Sequence, residues 1–275
     1  MTEQAARTEH FLALHHGPEP LLLPNAWDRG SAVLLASLGF AAIATTRSGF
    51  AATLGRLDGC VTRDEALGHA AYIAESTSVP VSADLENCFA DDPAGVAETV
   101  RLTTATGLAG CSVEDATGRR DDPVDEIGLA AERVTAAAEA AHRSGGPGGR
   151  LVLTARAENY LHGRADLADT ISRLQAYQAA GADVLYAPGL TRLADIHDVV
   201  ASVDRPVNVL ALAGTPAVGD LAGAGVSRIS VGGAFAMAAF GTLAAAAREF
   251  REQGTYGFQA AAHTGRDAVQ AAFGG

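Results

Sequence analysis

The chain of 275 residues has only three cysteines, Cys60, Cys88 and Cys111. An odd number without Cys-x-x-Cys spacing excludes a disulfide framework and offers no thiolate zinc site, so each is read as filling a small space. Basic charge is scarce too: 20 Lys and Arg stand against 32 Asp and Glu, a formal net charge of −12. That excludes the clustered cations of a nucleic-acid surface. An anionic small molecule is not excluded, because a pocket needs only one or two local cations. No stretch approaches the roughly 20 uninterrupted apolar residues of a membrane span, and residues 33–44 are broken by Ser37 and Gly39. Residues 1–16 are polar and hold no apolar signal core, so a cytoplasmic location is expected. No low-complexity linker divides the chain. The Gly-rich segment 144–149 lies between a helical run and an apolar run and is read as a helix-to-strand loop.

What is present is an alternation of two patterns. Short apolar runs at 21–24, 41–46, 79–85, 110–114, 151–156, 183–187, 206–210 and 227–231 read as strands. Alanine-rich periodic segments at 64–76, 93–106, 127–142, 167–180 and 190–203 read as helices between them. Continuous apolar strands are buried on both faces, and alternation with helices implies parallel pairing. No Gly-x-Gly-x-x-Gly follows the first strand, which counts against a doubly wound sheet. The expected architecture is therefore one (β/α)8 barrel over residues 1–275. Residues 1–16 form an extra N-terminal helix, 234–253 the eighth helix or its replacement, and 255–275 a helical tail.

Reactive side chains of such a barrel come from the C-terminal ends of its strands. Strand two is followed by Arg47-Ser-Gly-Phe50, read as a loop, and then by Asp58-Gly59. Strand three ends on Asp84-Leu-Glu86, strand four on Glu114-Asp115, and strand five on Arg156 with Glu158 just beyond. Asn208 ends strand seven. Neighbouring strands lie about 4.8 Å apart, so Asp58, Asp84, Glu86, Glu114 and Arg156 can converge on one ligand. Asp84 and Glu86, two apart on a strand, share a face. Crowded carboxylates raise one another's pKa unless a cation sits among them. Oxygen-only donors select Mg2+, with Mn2+ as the alternative, over zinc. The Arg156 guanidinium suits bidentate capture of a carboxylate, and a metal beside an arginine suits a 2-oxo acid.

Each position alone has an ordinary explanation. Asp115 can cap the following loop, and Arg156 can be a salt-bridge partner. The joint pattern on adjacent strands is what argues for a site. Arg47 adjoins Ser48, but strand alternation would turn it away. Arg119 and Arg120 could reach a second substrate carboxylate if their loop folds over the site, but pairing with Asp121 and Asp122 is the expected reading, and His162 is expected at the surface.

These residues resemble the isocitrate lyase/phosphoenolpyruvate mutase superfamily. The matching segments are Pro24-Asn-Ala-Trp-Asp28, Thr45-Thr-Arg-Ser-Gly49, Leu57-Asp-Gly59, Val81-Ser-Ala-Asp-Leu-Glu86, Gly110-Cys-Ser-Val-Glu-Asp115, Ala155-Arg156 and Ala180-Gly-Ala-Asp183. The resemblance implies a (β/α)8 barrel whose last helix is often exchanged between subunits of a homodimer or homotetramer, Mg2+, and 2-oxo acid chemistry. It implies Asp84 as the principal metal ligand, with Asp58, Glu86 and Glu114 holding the metal directly or through water. Ser48 and Gly49 then match the loop that holds substrate oxygens, and Arg156 the carboxylate-binding arginine.

The departures concern the reaction. Lyases of the superfamily carry a cysteine in a Lys-(Lys/Arg)-Cys-Gly-His loop after strand four. Here that loop reads Ala116-Thr-Gly-Arg-Arg-Asp-Asp-Pro-Val124, and Cys111 lies inside the preceding strand. The Lys-Thr-Asn-Ser loop of phosphonate-processing members is absent as well. Asp84-Leu-Glu-Asn-Cys88 replaces an Asp-x-Asp-Thr-Gly stretch, and Thr46-Arg47 replaces the usual tryptophan. The expected function is an Mg2+-dependent lyase or decarboxylase that makes or breaks a C–C bond of a small 2-oxo acid through an enolate. Oxaloacetate, 2-oxoglutarate or an adduct of one would be the substrate, with Arg156, Glu114 and Ser48 as catalytic residues. Ser48, Gly49, Asp84, Arg156 and Asn208 would bind it. Two alternatives stay open: a phosphoenolpyruvate mutase or phosphonopyruvate hydrolase-like activity, and a barrel that binds 2-oxo acids without turnover.

Overall fold

The computed structural model describes residues 3–143 and 149–274. The loop expected at 144–149 lies, except for Gly149, outside the described residues. The first half of the chain runs α1 (Glu3–Leu14), β1 (Leu21–Leu23), β2 (Asn25–Ala26), α2 (Arg29–Ser37), β3 (Ile43–Thr45), α3 (Arg47–Thr53), α4 (Arg63–Glu75), β4 (Val81–Ala83), α5 (Pro93–Thr103), β5 (Gly110–Glu114) and α6 (Ile127–His142). The second half runs β6 (Val152–Arg156), α7 (Leu167–Ala179), β7 (Val184–Tyr186), α8 (Leu193–Ala201), β8 (Val207–Leu210), α9 (Val218–Gly223), β9 (Arg228–Ser230), α10 (Ala234–Gln253) and α11 (Gln259–Phe273). Helix starts are local chemistry. Asp28 with Ser31 and Thr62 with Glu65 form reciprocal caps at α2 and α4, while Asp92 caps α5 ahead of Pro93.

Among the described residues all strand pairs are parallel, and the nine segments run in the order β1-β9-β8-β7-β6-β5-β4-β3-β2. The first strand, expected over 21–24, extends to Ala26 and is broken at Pro24, which has no N–H to give. Its first half pairs with β9 and its second with β3. The Pro24 carbonyl still accepts from Ala44 N at 2.9 Å. The two halves thus bring the ends of the sheet together, giving a (β/α)8-type barrel.

Most of the buried apolar side chains lie between strands and outer helices, among them Ile43, Ile73, Leu85, Leu153, Leu174 and Leu185. A second cluster fills the N-terminal end of the barrel. There Phe11 of α1 is buried among Leu21, Leu23, Ala42, Val152 and Val184. The close approach explains Gly110, where an added Cβ would stand 2.9 Å from the Phe11 ring. The extra N-terminal helix is therefore a plug. Above it the lumen turns polar, because inward positions of the strands carry Ser82, Ser112, Thr154, Asn208, Arg228 and Ser230. Only Ala236 of α10 is buried, and no residue of α11 is.

Candidate active site

The polar lumen opens at the C-terminal strand ends into a cavity of about 600 Å3. Asp58, Asp84, Glu86, Glu114, Arg156 and Asn208 all line it, as does Ser48. The convergence is built on Arg156, the last residue of β6. Its Nη1 donates to Asp84 Oδ1 at 2.8 Å and its Nε to Glu158 Oε1 at 2.8 Å. Its Nη2 lies 3.1 Å from Glu114 Oε2. The guanidinium also lies over the Tyr186 ring, 5.2 Å from its centroid. Burial works against the charge on Arg156, but Glu158, Glu114 and Asp84 outweigh it and keep the group protonated. Glu114 is pushed up to about 8, chiefly by burial, with Arg156 opposing and Glu158 and Asp84 adding to the rise. Glu158, noted just beyond Arg156 but not among the expected site residues, is raised for the same first reason.

The second centre is Arg47. Alternation along a strand would turn it outward, but β3 ends at Thr45 and Arg47 opens α3, so alternation does not apply. The segment read as a loop is helical because Thr46 caps it, accepting from Gly49 N at 3.4 Å. Arg47 Nε donates to Asp58 Oδ1 at 3.1 Å, and its Nη1 pairs with Glu86 Oε2. Asp84 and Glu86 do not share a strand face either, since β4 stops at Ala83 and Glu86 takes a left-handed φ of 53°. That turn directs Glu86 to Arg47 and Asp84 to Arg156.

Ser48 Oγ lies 3.2 Å from Thr46 Oγ1. Gly49 is explained by packing: an added Cβ would meet Thr46 at 2.7 Å, Trp27 at 2.9 Å and Ala236 at 3.0 Å. Asn208, expected at a strand end, is instead the second residue of β8 and so lies deep in the lumen; it donates from Nδ2 to Ser230 Oγ at 3.0 Å, and its Oδ1 is buried without a partner. His162, expected at the surface, is exposed and also lines the cavity mouth. Arg119 pairs with Asp122 as expected, in a loop closed by the Ala116–Val124 bridge.

Asp115 is more than a local cap. Buried at 2% exposure, it accepts from Glu158 N at 2.8 Å through Oδ1 and from Arg173 and Tyr177 through Oδ2. It thereby fixes the backbone that carries Glu158 beside Arg156. Cys88 and Cys111 fill buried space as expected, and burial pushes the Cys111 thiol to about 12. Cys60 does not, because it stands in an exposed loop.

A divalent cation fits the chemistry of this donor set. Five carboxylates at the mouth face two guanidinium groups, and Glu86 Oε1 is buried with no hydrogen-bond partner. Hard oxygen donors with surplus negative charge suit Mg2+ or Mn2+. Among the described residues no three acidic, His or Cys side chains form a ready-made cage, because the arginines occupy the carboxylates. Asp58, with its side chain 59% exposed, is the outlying member.

Residues 11–251 match the family profile described as phosphoenolpyruvate phosphomutase. The chain belongs to this family. A solved protein of Burkholderia cenocepacia J2315, provisionally assigned as a lyase/mutase, is 48% identical with a TM-score of 0.93, over 98% of this chain and 96% of that one. A protein of Mycobacterium tuberculosis described only as uncharacterized is 33% identical over 225 residues, 81% of each chain. The 2-methylisocitrate lyase of Escherichia coli K12 is 29% identical over 204 residues, 72% of this chain and 68% of that protein. The chain is thus an enzyme of the isocitrate lyase/phosphoenolpyruvate mutase superfamily, whose members are lyases and mutases of small organic acids. Among the described residues no helix is long and apolar enough to cross a membrane.

Proposed function

We propose that this enzyme is a lyase or decarboxylase that uses Mg2+, or Mn2+ in its place, to make or break a C–C bond of a small 2-oxo acid. The observation that carries the reading is Arg156 held among Asp84, Glu114 and Glu158 at the barrel mouth. A second one narrows the chemistry: all 20 basic side chains are arginine and the chain has no lysine. A lysine Schiff base, one general way to activate a carbonyl, is therefore closed to it. Polarisation falls to a cation and to fixed donors. Asp84, Glu86 and Glu114 would hold the metal, with Asp58 at the rim. When bound, the metal would polarise the carbonyl and stabilise charge developing on its oxygen.

The chain's own residues supply the rest. Arg156 orients a carboxylate with its planar fork, and Ser48 donates to a substrate oxygen from the opposite wall. Glu114, which would hold the metal as a carboxylate, can in that form take a proton from the substrate as a general base in place of the missing loop cysteine. Tyr186, pushed to about 12 by burial, keeps its proton. The test is a screen of oxaloacetate, 2-oxoglutarate and 2-alkylmalates with Mg2+, reading released 2-oxo acid or CO2. Asp84→Ala should reduce kcat/KM by at least about 100-fold. Undiminished turnover in that variant would sink the reading.

The physiological unit we propose is a homodimer or homotetramer that covers α10. Phe235, Met237, Phe240 and Leu243 on that helix are exposed, a patch that a subunit contact would bury.

A further inference from the structure

The mouth of the cavity is rich in carboxylates, whereas its floor carries the opposite charge. Arg228, the first residue of β9, lines the same cavity and is only 4% exposed. Its Nη2 donates to Thr154 Oγ1 at 3.1 Å across the lumen. Its Nη1 lies 3.2 Å from His15 Nε2, below. His15 cannot be a counter-charge. Its Nδ1 donates to the Phe11 carbonyl at 2.8 Å, which leaves Nε2 to accept, and burial followed by Arg228 holds the ring neutral. Among the described residues Arg228 has no carboxylate partner, and its Nε has no hydrogen-bond partner. Arg47 and Arg156, the other cavity guanidinium groups, are each paired with at least two acids.

A buried guanidinium without a counter-ion is costly unless an anion reaches it. The surroundings fit such an occupant. Ser112 Oγ and Asn208 Oδ1 are also buried without partners, and both line the cavity. Ser112 can donate a hydrogen bond to an anion, while Asn208 Oδ1 suits a protonated or water-bridged oxygen. Asn208 and Arg228 are register partners on neighbouring strands, so these groups lie within one layer of the lumen. Two layers of opposite charge then line one cavity, with β6 contributing Thr154 below and Arg156 above.

We infer that the barrel floor is an anion subsite, with Arg228 as its guanidinium, that receives the second carboxylate of a substrate whose 2-oxo acid end is held at the mouth. This rests on the functional reading above and narrows it to 2-oxo dicarboxylates. It also separates the roles of the arginines. Arg156 works within a net negative rim, and Arg228 is the unpaired cation that selects for the distal charge.

The test compares equal-length pairs, oxaloacetate with 2-oxobutyrate and 2-oxoglutarate with 2-oxovalerate, by titration calorimetry with Mg2+. Wild type should favour the dicarboxylate of at least one pair by about tenfold or more. R228Q should lose that preference while its affinity for the monocarboxylate stays within about twofold, and R228K should restore part of it. A preference undiminished in R228Q overturns the subsite. Should R228Q fail to fold, wild-type crystals soaked in sodium bromide decide without a variant. An anomalous peak within hydrogen-bond distance of Arg228 supports an anion subsite, and bromide confined to the outer surface overturns it. Bromide at Arg228 without any dicarboxylate preference overturns the substrate assignment and leaves a site for free inorganic anions. If wild type binds neither member of either pair, the functional reading fails by itself, and the bromide result still decides the subsite.

Discussion

Arg156 is the residue on which the site turns, and its value lies in being a fork. Three separate nitrogens reach three separate carboxylates, which a lysine ammonium on a flexible stem cannot reproduce. Arg156→Lys should therefore lower kcat/KM by about 100-fold for whichever 2-oxo acid is turned over, with circular dichroism unchanged. An activity within about threefold of wild type would show that one point charge suffices there. Arg156 and the acids at strand ends were legible in the chain because they close apolar runs. Glu158, Arg228 and Tyr186 were not. Glu158 lies two residues past its strand end, and Arg228 opens an apolar strand, where a charge reads as a surface residue. Only the plug beneath it shows that Arg228 is buried.

At the scale of elements, strand positions and the longer helices were readable from period and punctuation. The periodic segments at 127–142 and 234–253 coincide with α6 and α10. Short elements were not. α3 depends on Thr46 as a cap, and the break at Pro24 appears only when two different neighbours claim the halves of one strand. An ion cluster around the buried Asp183, with the partly exposed His142 and Arg150, ties the start of β7 to β6 and α6. Burial alone would raise its pKa, but hydrogen bonds from His142 and Leu153 N and the charges of His142 and Arg150 outweigh it and hold the pKa below the usual value. The sign follows: the depressed folded pKa gives stability that is present above the unfolded value of about 3.9 and lost as pH falls through the folded one. Asp183→Asn should thus cost about 1–3 kcal/mol in urea unfolding at pH 7, and the difference should shrink as pH drops below about 4. A gap that stays constant down to the acid transition would assign Asp183 a role in hydrogen bonding and packing rather than charge.

The whole molecule leaves α10 and α11 unlike its other helices. α10 buries Ala236 alone, and Phe240, Leu243, Phe250 and Phe273 are exposed across the two helices. A second copy is the expected cover for these exposed apolar side chains. Light scattering should give at least a dimer. Phe240→Glu combined with Leu243→Glu should shift it to the monomer with far-UV dichroism retained. A wild-type monomer at about 10 µM would refute the assembly. Because α10 begins beside the site, with Gly233 packed against Ser48 and Ala236 against Gly49, that monomer should also lose activity.

The amino-acid pattern by itself determined the barrel, because strand and helix periods are local and repeat along the chain. It also placed Asp58, Asp84, Glu86, Glu114 and Arg156 at the mouth, because barrel geometry delivers strand ends to one rim, but it missed Arg47 and Glu158 there. Only the tertiary structure decided how those charges pair. Arg156 gathers Asp84, Glu114 and Glu158 while Arg47 takes Asp58 and Glu86, and a third guanidinium, Arg228, lies on the floor with no carboxylate partner among the described residues. Charge pairing depends on distances across the lumen between residues as many as 72 positions apart, and no local period carries that information.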